Sequence, residues 1–326
     1  MTNIQKKYYF LKNQLKNIEN SIINFLSHRE ELNLKDKEII DSLELTKLLI
    51  TNQIKSLVNP HLNIKPKINR ISDFLPFKKI CVDSLNKLNN NYPKIDKTSN
   101  KKSLIIETRV LPETEFIIKN TIQKLGDGWG HIVVCHEDNH NQIEKICSTI
   151  SDQIEIKKID SKLNRNTYNN LCLDINFWET INCEKVLVYQ TDTFIFKNFD
   201  EKFLEYDWIG GVWSDIHVKH IQQKLGWQDL WGCNGGLNLR TVSVIKEILK
   251  TQPLVKDIFG GTDYLPEDTF FSWHIKNNYK LPPKEICEEF SNDKKFELNI
   301  FGTHQPWNGN MENFIKFVNN LYGINE

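Results

Sequence analysis

Near the start of the chain, apolar residues recur at helical spacing. Leu11, Leu15, Ile18, Ile22 and Phe25 step by four and three, and Ile40, Leu43, Lys47, Ile50, Ile54 and Leu57 repeat the step with Lys47 as the polar member. This spacing predicts two amphipathic helices, joined by a turn within the polar stretch Ser27 to Asp36. Residues 4–58 contain no Pro, Gly or Trp to interrupt them. Each seam lasts about two heptads, short of the three or four of a free-standing coiled coil. Residues 1–58 therefore read as an α-helical hairpin or short coiled coil that packs on its own domain or on a twin copy.

Residues 59–102 read as a connector, with Pro60, Pro66, Pro76 and Pro93 and the run Asn89-Asn90-Asn91; only Phe74 to Leu88 has a pattern for local structure. From Ser103 onward strands alternate with helices. SLIIET (103–108), HIVVCHE (131–137), IEIKKID (154–160), VLVYQTD (186–192), DWIGGVW (207–213) and GLNLR (236–240) predict strands. Glu113 to Leu125, stopped by Gly126, the stretch carrying Tyr168, Leu171, Ile175 and Trp178, and Thr241 to Leu249 with Thr241 as N-cap predict helices. Residues 103–326 thus read as one α/β domain, a mostly parallel sheet with helices on both faces.

Ligands of such sheets sit outside the carboxyl ends of the strands. Those ends carry Thr108 and Arg109, then His136 and Glu137, then Asp192. A cation and a carboxylate at one rim suit a metal-bound diphosphate. Composition narrows the partners. Lys+Arg and Asp+Glu both number 42, so no basic field draws in nucleic acid. The seven cysteines are scattered without a CxxC pair, which fits reduced thiols rather than disulfides or zinc. The first residues lack an apolar leader, and no run approaches the ~20 apolar residues of a membrane span. The expected location is the cytoplasm.

The strand ending in Gln190-Thr191-Asp192 resembles the DxD region of GT-A glycosyltransferases, where strand-end Asp residues bind a divalent cation bridging the phosphates of a nucleotide-sugar. Oxygen ligands suit Mn²⁺ or Mg²⁺, and the cation offsets charge on the leaving diphosphate. Gln190 stands where the first Asp of that motif belongs. Asn234-Gly235-Gly236 resembles the glycine-rich turn that lies against donor and acceptor sugars, and glycine permits close backbone approach. Glu267 and Asp268 resemble the acidic pair at a helix head in inverting members, where one carboxylate takes the acceptor's proton. Adjacent helical residues face apart, so Asp268 is the expected base and Glu267 its partner. His304, in FGTHQPW, resembles a late metal-ligand histidine.

Taken in order, QTD, DWIGG, NGG, PED and HQPW are similar to a glycosyltransferase-like family catalogued as a domain of unknown function. The resemblance covers about Ser103 to Trp307. It implies a GT-A fold and sugar transfer from a nucleotide donor to a glycan, protein or lipid. It places Thr108, Arg109, Gln190, Thr191, Asp192, Trp213, Asn234, Gly235 and Gly236 at the nucleotide-sugar and Asp192 with His304 at the metal. Trp213 and Trp231 flank the glycine turns and offer flat faces for a sugar. The alternative is a degenerate GT-A fold that binds glycans or acts as a scaffold assembled through the N-terminal helices, which the missing first Asp favours. A glycosidase pair must straddle a bond with its carboxylates ~5–9 Å apart, which adjacent Glu267 and Asp268 are poorly placed to do.

Overall fold

The computed structural model of the chain describes residues 3–27, 68–227 and 232–324. Two compact units are present, Met1–Leu75 and Pro76–Glu326. In the first, helix α1 (Asn3–Ser27) takes in the seam from Leu11 to Phe25. The seam from Ile40 to Leu57, the turn before it and Trp231 lie outside the described residues. Helix α2 (Ile68–Leu85) both begins and ends earlier than the 74–88 stretch its sequence suggests.

The second unit alternates strands and helices: β1 (Lys101–Ile106), α3 (Thr114–Leu125), β2 (Gly130–Cys135), α4 (Glu137–Ser148), β3 (Glu155–Lys158), α5 (Arg165–Cys172), α6 (Ile175–Glu179), β4 (Lys185–Tyr189), β5 (Thr193–Ile195) and β6 (Trp208–Val212). These are followed by α7 (Asp215–Leu225), β7 (Cys233–Thr241), α8 (Val242–Thr251), α9 (Glu267–Asn278), α10 (Lys284–Phe290), β8 (Gly302–His304) and α11 (Met311–Tyr322). Six strands form one sheet in the order β3-β2-β1-β4-β7-β6. β1 to β4 pair in parallel, and β7 runs antiparallel to both its neighbours, so β6 points with the parallel set. The expected α/β class and mostly parallel sheet are what the molecule has. β1, β2 and β4 are Val- and Ile-rich and buried along their length, as strands covered by helices on both faces must be.

Three details differ from the sequence reading. β7 begins at Cys233, so Asn234-Gly235-Gly236 belongs to the strand rather than to a turn ahead of it. The ladder to β6 slips there: Gly210 faces Asn238 but Val212 faces Cys233, and residues 234–237 bow out as a bulge. Gly210 and Gly211 leave the room this needs, since a Cβ on either would come within 2.6 Å of Asn234. Thr241 does sit at the N-cap of α8, but its hydroxyl makes no cap bond. It donates to Asp207 Oδ1 at 2.7 Å and accepts from Lys185 Nζ at 2.7 Å, because those charges lie beside the strand end. Finally, β5 and β8 form a two-stranded antiparallel sheet that local pattern did not show.

Phe194 of β5 packs into an aromatic cluster with Phe116 of α3 and Phe314 of α11, which holds the small sheet against those two helices. Among the described residues no helix is long and apolar enough to cross a membrane.

His131 of β2 is buried, with Nδ1 2.7 Å from Ser103 Oγ on β1. Burial pushes its pKa from 6.5 down to about 3. The unfolded chain therefore binds a proton below pH 6.5 that the fold refuses until about pH 3. This contribution to stability is whole above pH 6.5 and falls by up to ~1.4 kcal/mol per unit as the pH drops. Urea unfolding of His131→Gln should show a shallower loss of stability with acid than the parent chain.

Candidate active site

The strand order brings three segments to one rim. β4 lies between β1 and β7, and β7 runs the opposite way, so the carboxyl ends of β1 and β4 meet the amino end of β7. Tyr189 pairs with Leu237, and the Gln190 N–H donates to Gly236 O at 2.9 Å. The β5–β8 sheet supplies the fourth segment. It pairs Thr193 with His304, and the Gln305 N–H donates to Asp192 O at 2.9 Å. Asp192 and His304 therefore meet although much of the chain separates them.

His304 Nε2 lies 3.3 Å from Asp192 Oδ1 and 3.2 Å from Gln190 Oε1. Asp192 Oδ2 takes the Gln305 amide at 2.9 Å, while Oδ1 is buried and has no well-aligned donor. Gln305 reaches this position with φ 57°, the sole non-glycine residue of positive φ among the described residues. Such a conformation costs on the order of 1–3 kcal/mol and persists where surrounding structure enforces it. Burial works against ionisation of both partners, but their mutual attraction outweighs it. Asp192 is held below the usual carboxylate range and His304 is lifted above the usual histidine value, the latter with help from Asp293 and Asp268.

Asp192 Oδ1 and Gln190 Oε1 thus both approach His304 Nε2, and either a proton on that nitrogen or a cation beside it would satisfy the two oxygens. Two ligands at right angles, each about 2.1 Å from a cation, are separated by about 3 Å. The separations of His304 Nε2 from Asp192 Oδ1 and Gln190 Oε1, 3.3 and 3.2 Å, are close to this. Among the described residues no three His, Cys, Asp or Glu side chains cluster as a metal site, so a cation here would draw its other ligands from phosphate and water.

On the other side of the β7 bulge stand Glu267 and Asp268, in the first turn of α9. They diverge, as neighbours on a helix must. Glu267 is buried; its Oε1 accepts from Arg240 Nη2 at 3.0 Å and its N–H donates to Asn169 Oδ1 at 2.7 Å. Asp268 accepts from the Thr269 N–H at 2.7 Å. Burial raises the Asp268 pKa above the usual aspartate value. The two glycines serve these side chains. A Cβ on Gly235 would stand 2.0 Å from Glu267 Oε1, and one on Gly236 would stand 2.1 Å from His304 Nε2.

The remaining expected residues divide by what they touch. Arg109 is largely exposed at the rim and forks onto Glu107 through Nε at 2.8 Å and Nη2 at 2.7 Å. Thr191 donates to the same Glu107 at 3.2 Å. Thr108 is buried and its hydroxyl accepts from the Leu163 N–H at 3.0 Å, which ties down the neighbouring loop. Asn234 is occupied within the bulge: its Oδ1 accepts from the Gly236 N–H and its Nδ2 donates to Gly211 O, both at 3.3 Å. Trp213 is 8% exposed and packs with Ile221, Trp227 and Trp273 in a small apolar cluster. Glu107, Arg240 and Gln305 escaped the sequence reading. A carboxylate at the end of an apolar strand was a usable signal for Glu107; the other two had none outside the fold.

A family described as "Protein of unknown function (DUF5672)" matches residues 153–307. No curated protein matches the chain. Among solved structures similar to it is the apo form of mouse xyloside xylosyltransferase 1, at 9% identity and TM-score 0.36, covering 55% of this chain and 82% of that one. A likeness that distant carries no weight for function.

Replacing Gly236 by Ala forces the new methyl into His304. The backbone φ there is ordinary, so the cost is steric, roughly 1–3 kcal/mol for overpacking. Thermal unfolding of Gly236→Ala should register that loss, and Gly126→Ala, whose φ of 77° strains the backbone where no side chain is touched, separates steric from conformational cost.

Proposed function

We propose that the chain is a nucleotide-sugar-dependent glycosyltransferase whose donor site lies at Asp192 and whose base is Asp268. One observation carries this reading. The Asp192–His304 pair abuts Gly236 and the Glu267-Asp268 head of α9 abuts Gly235, on either side of the β7 bulge at the carboxyl rim of a mostly parallel sheet. Such a rim is where ligands of open α/β sheets bind.

In this reading Arg109 meets nucleotide or phosphate, oriented by its fork with Glu107. Asp192, His304 and the Gln190 amide oxygen hold a divalent cation, Mn²⁺ or Mg²⁺, with the diphosphate. The mixed oxygen and imidazole set suits Mn²⁺ better than Mg²⁺. When bound, such a cation offsets the negative charge on the departing diphosphate. The chain's own part is the proton. An acceptor hydroxyl attacks the anomeric carbon, the bond from that carbon to the diphosphate oxygen breaks, and Asp268 takes the hydroxyl proton. A raised pKa makes Asp268 a stronger base than an exposed aspartate. Glu267 is spent on Arg240 and serves as support. Attack from the face opposite the diphosphate makes the reaction inverting.

A calorimetric and thermal-shift screen with UDP-, GDP- and CMP-sugars, with and without Mn²⁺, tests the donor site. One donor should bind the wild type, and Asp192→Ala should weaken it at least about tenfold, the loss of one charged contact. No binding, or unchanged binding by Asp192→Ala, overturns the site. With that donor, Asp268→Asn should bind normally yet release free sugar about 10²- to 10⁴-fold more slowly. A wild type that binds without any turnover would instead mark a glycan-binding or scaffold protein.

A further inference from the structure

We infer that Arg240 is the positioning residue for Asp268, fixing that carboxylate against the β7 bulge through a rigid guanidinium fork. The consequence for turnover rests on the transferase reading above; the geometry does not.

Arg240 has no solvent exposure. Its guanidinium lies 4.6 Å from the Trp208 ring centroid and 5.6 Å from that of Trp178. Within that slot Nε donates to Asn238 Oδ1 at 2.9 Å, and Nη2 donates to Glu267 Oε1 at 3.0 Å and to Gly235 O at 3.4 Å. One plane thus holds both the start of α9 and the bulge of β7. Gly235 joins the two, because its carbonyl takes Arg240 Nη2 while its Cα lies against the Glu267 carboxylate, where a Cβ would stand 2.0 Å from Oε1. Glu267 is further pinned by its N–H to Asn169, so the residue directly before Asp268 is held by both its side chain and its backbone. Lysine would present one point charge where arginine presents a planar fork. A buried ion pair gives little net stability over apolar residues of equal volume, whereas breaking it leaves one charge unpaired and is strongly destabilising. What this pair supplies is direction.

The full chain is compared with Arg240→Lys, Arg240→Met and the double variant Arg240→Met/Glu267→Met by three measurements. Hydrogen exchange should rise in residues 233–237 and 266–270 of Arg240→Lys while β1 and β4 keep parental protection. Turnover of the donor found in the screen should fall about a hundredfold, the cost of an ångström-scale misplacement, with donor KM within about threefold. Arg240→Met should unfold at lower temperature, and the double variant should recover that stability without recovering turnover. Unchanged exchange in both segments overturns the inference, as does a double variant that regains turnover together with stability. If no nucleotide-sugar binds the wild type, the transferase reading fails separately, and exchange alone decides the positioning.

Discussion

A guanidinium without solvent exposure, held between two indole faces and paired with one carboxylate, is the constraint on which the rim depends. Desolvating both charges costs several kcal/mol per ion before their attraction returns it. The fold therefore has to complete this contact accurately. Arg240 sits on the one antiparallel strand of the large sheet, and Glu267 opens a helix that arrives from a distant loop. Their pairing ties strand to helix. It also sets where the Gly235 peptide and the Asp268 carboxylate stand.

Close approach is the second consequence. The bulge in β7 brings backbone against Glu267 on one side and His304 on the other, nearer than any Cβ permits. Glycine at 235 and 236 follows from those two side chains, not from a left-handed backbone. The same crowding removes water from three carboxylates and an imidazole. Burial lifts Asp268 and Asp293, while the His304 charge holds Asp192 down. A cluster of like groups whose pKa values are pushed in opposite directions is typical of sites that handle protons or bind charge.

How much of this was legible in the sequence varied by residue. Asp192 was visible because an apolar strand of five or so residues ending in a carboxylate is a local pattern with a known place in parallel sheets. Arg109 was visible for the same reason. Trp213 was read toward the ligand because an aromatic beside glycines looks alike whether it faces a sugar or a core; in the fold it packs with Ile221, Trp227 and Trp273 from other elements. The polar groups of Thr108 and Asn234 are taken up by Leu163 and by the bulge itself. Nothing local announced that.

Periodicity, turn residues and strand ends determined the α/β class, the parallel strands and one rim carrying a cation and a carboxylate, because each depends on neighbours within a few positions. Tertiary structure alone decided that β7 would run antiparallel beside β4, that β5 and β8 would pair, and that Asp192 would therefore meet His304. It also decided that Glu267 would be committed to Arg240 while Asp268 was left facing the bulge. Those outcomes turn on which distant groups can share a buried charge or a hydrogen bond. Spacing along the chain carries no record of that.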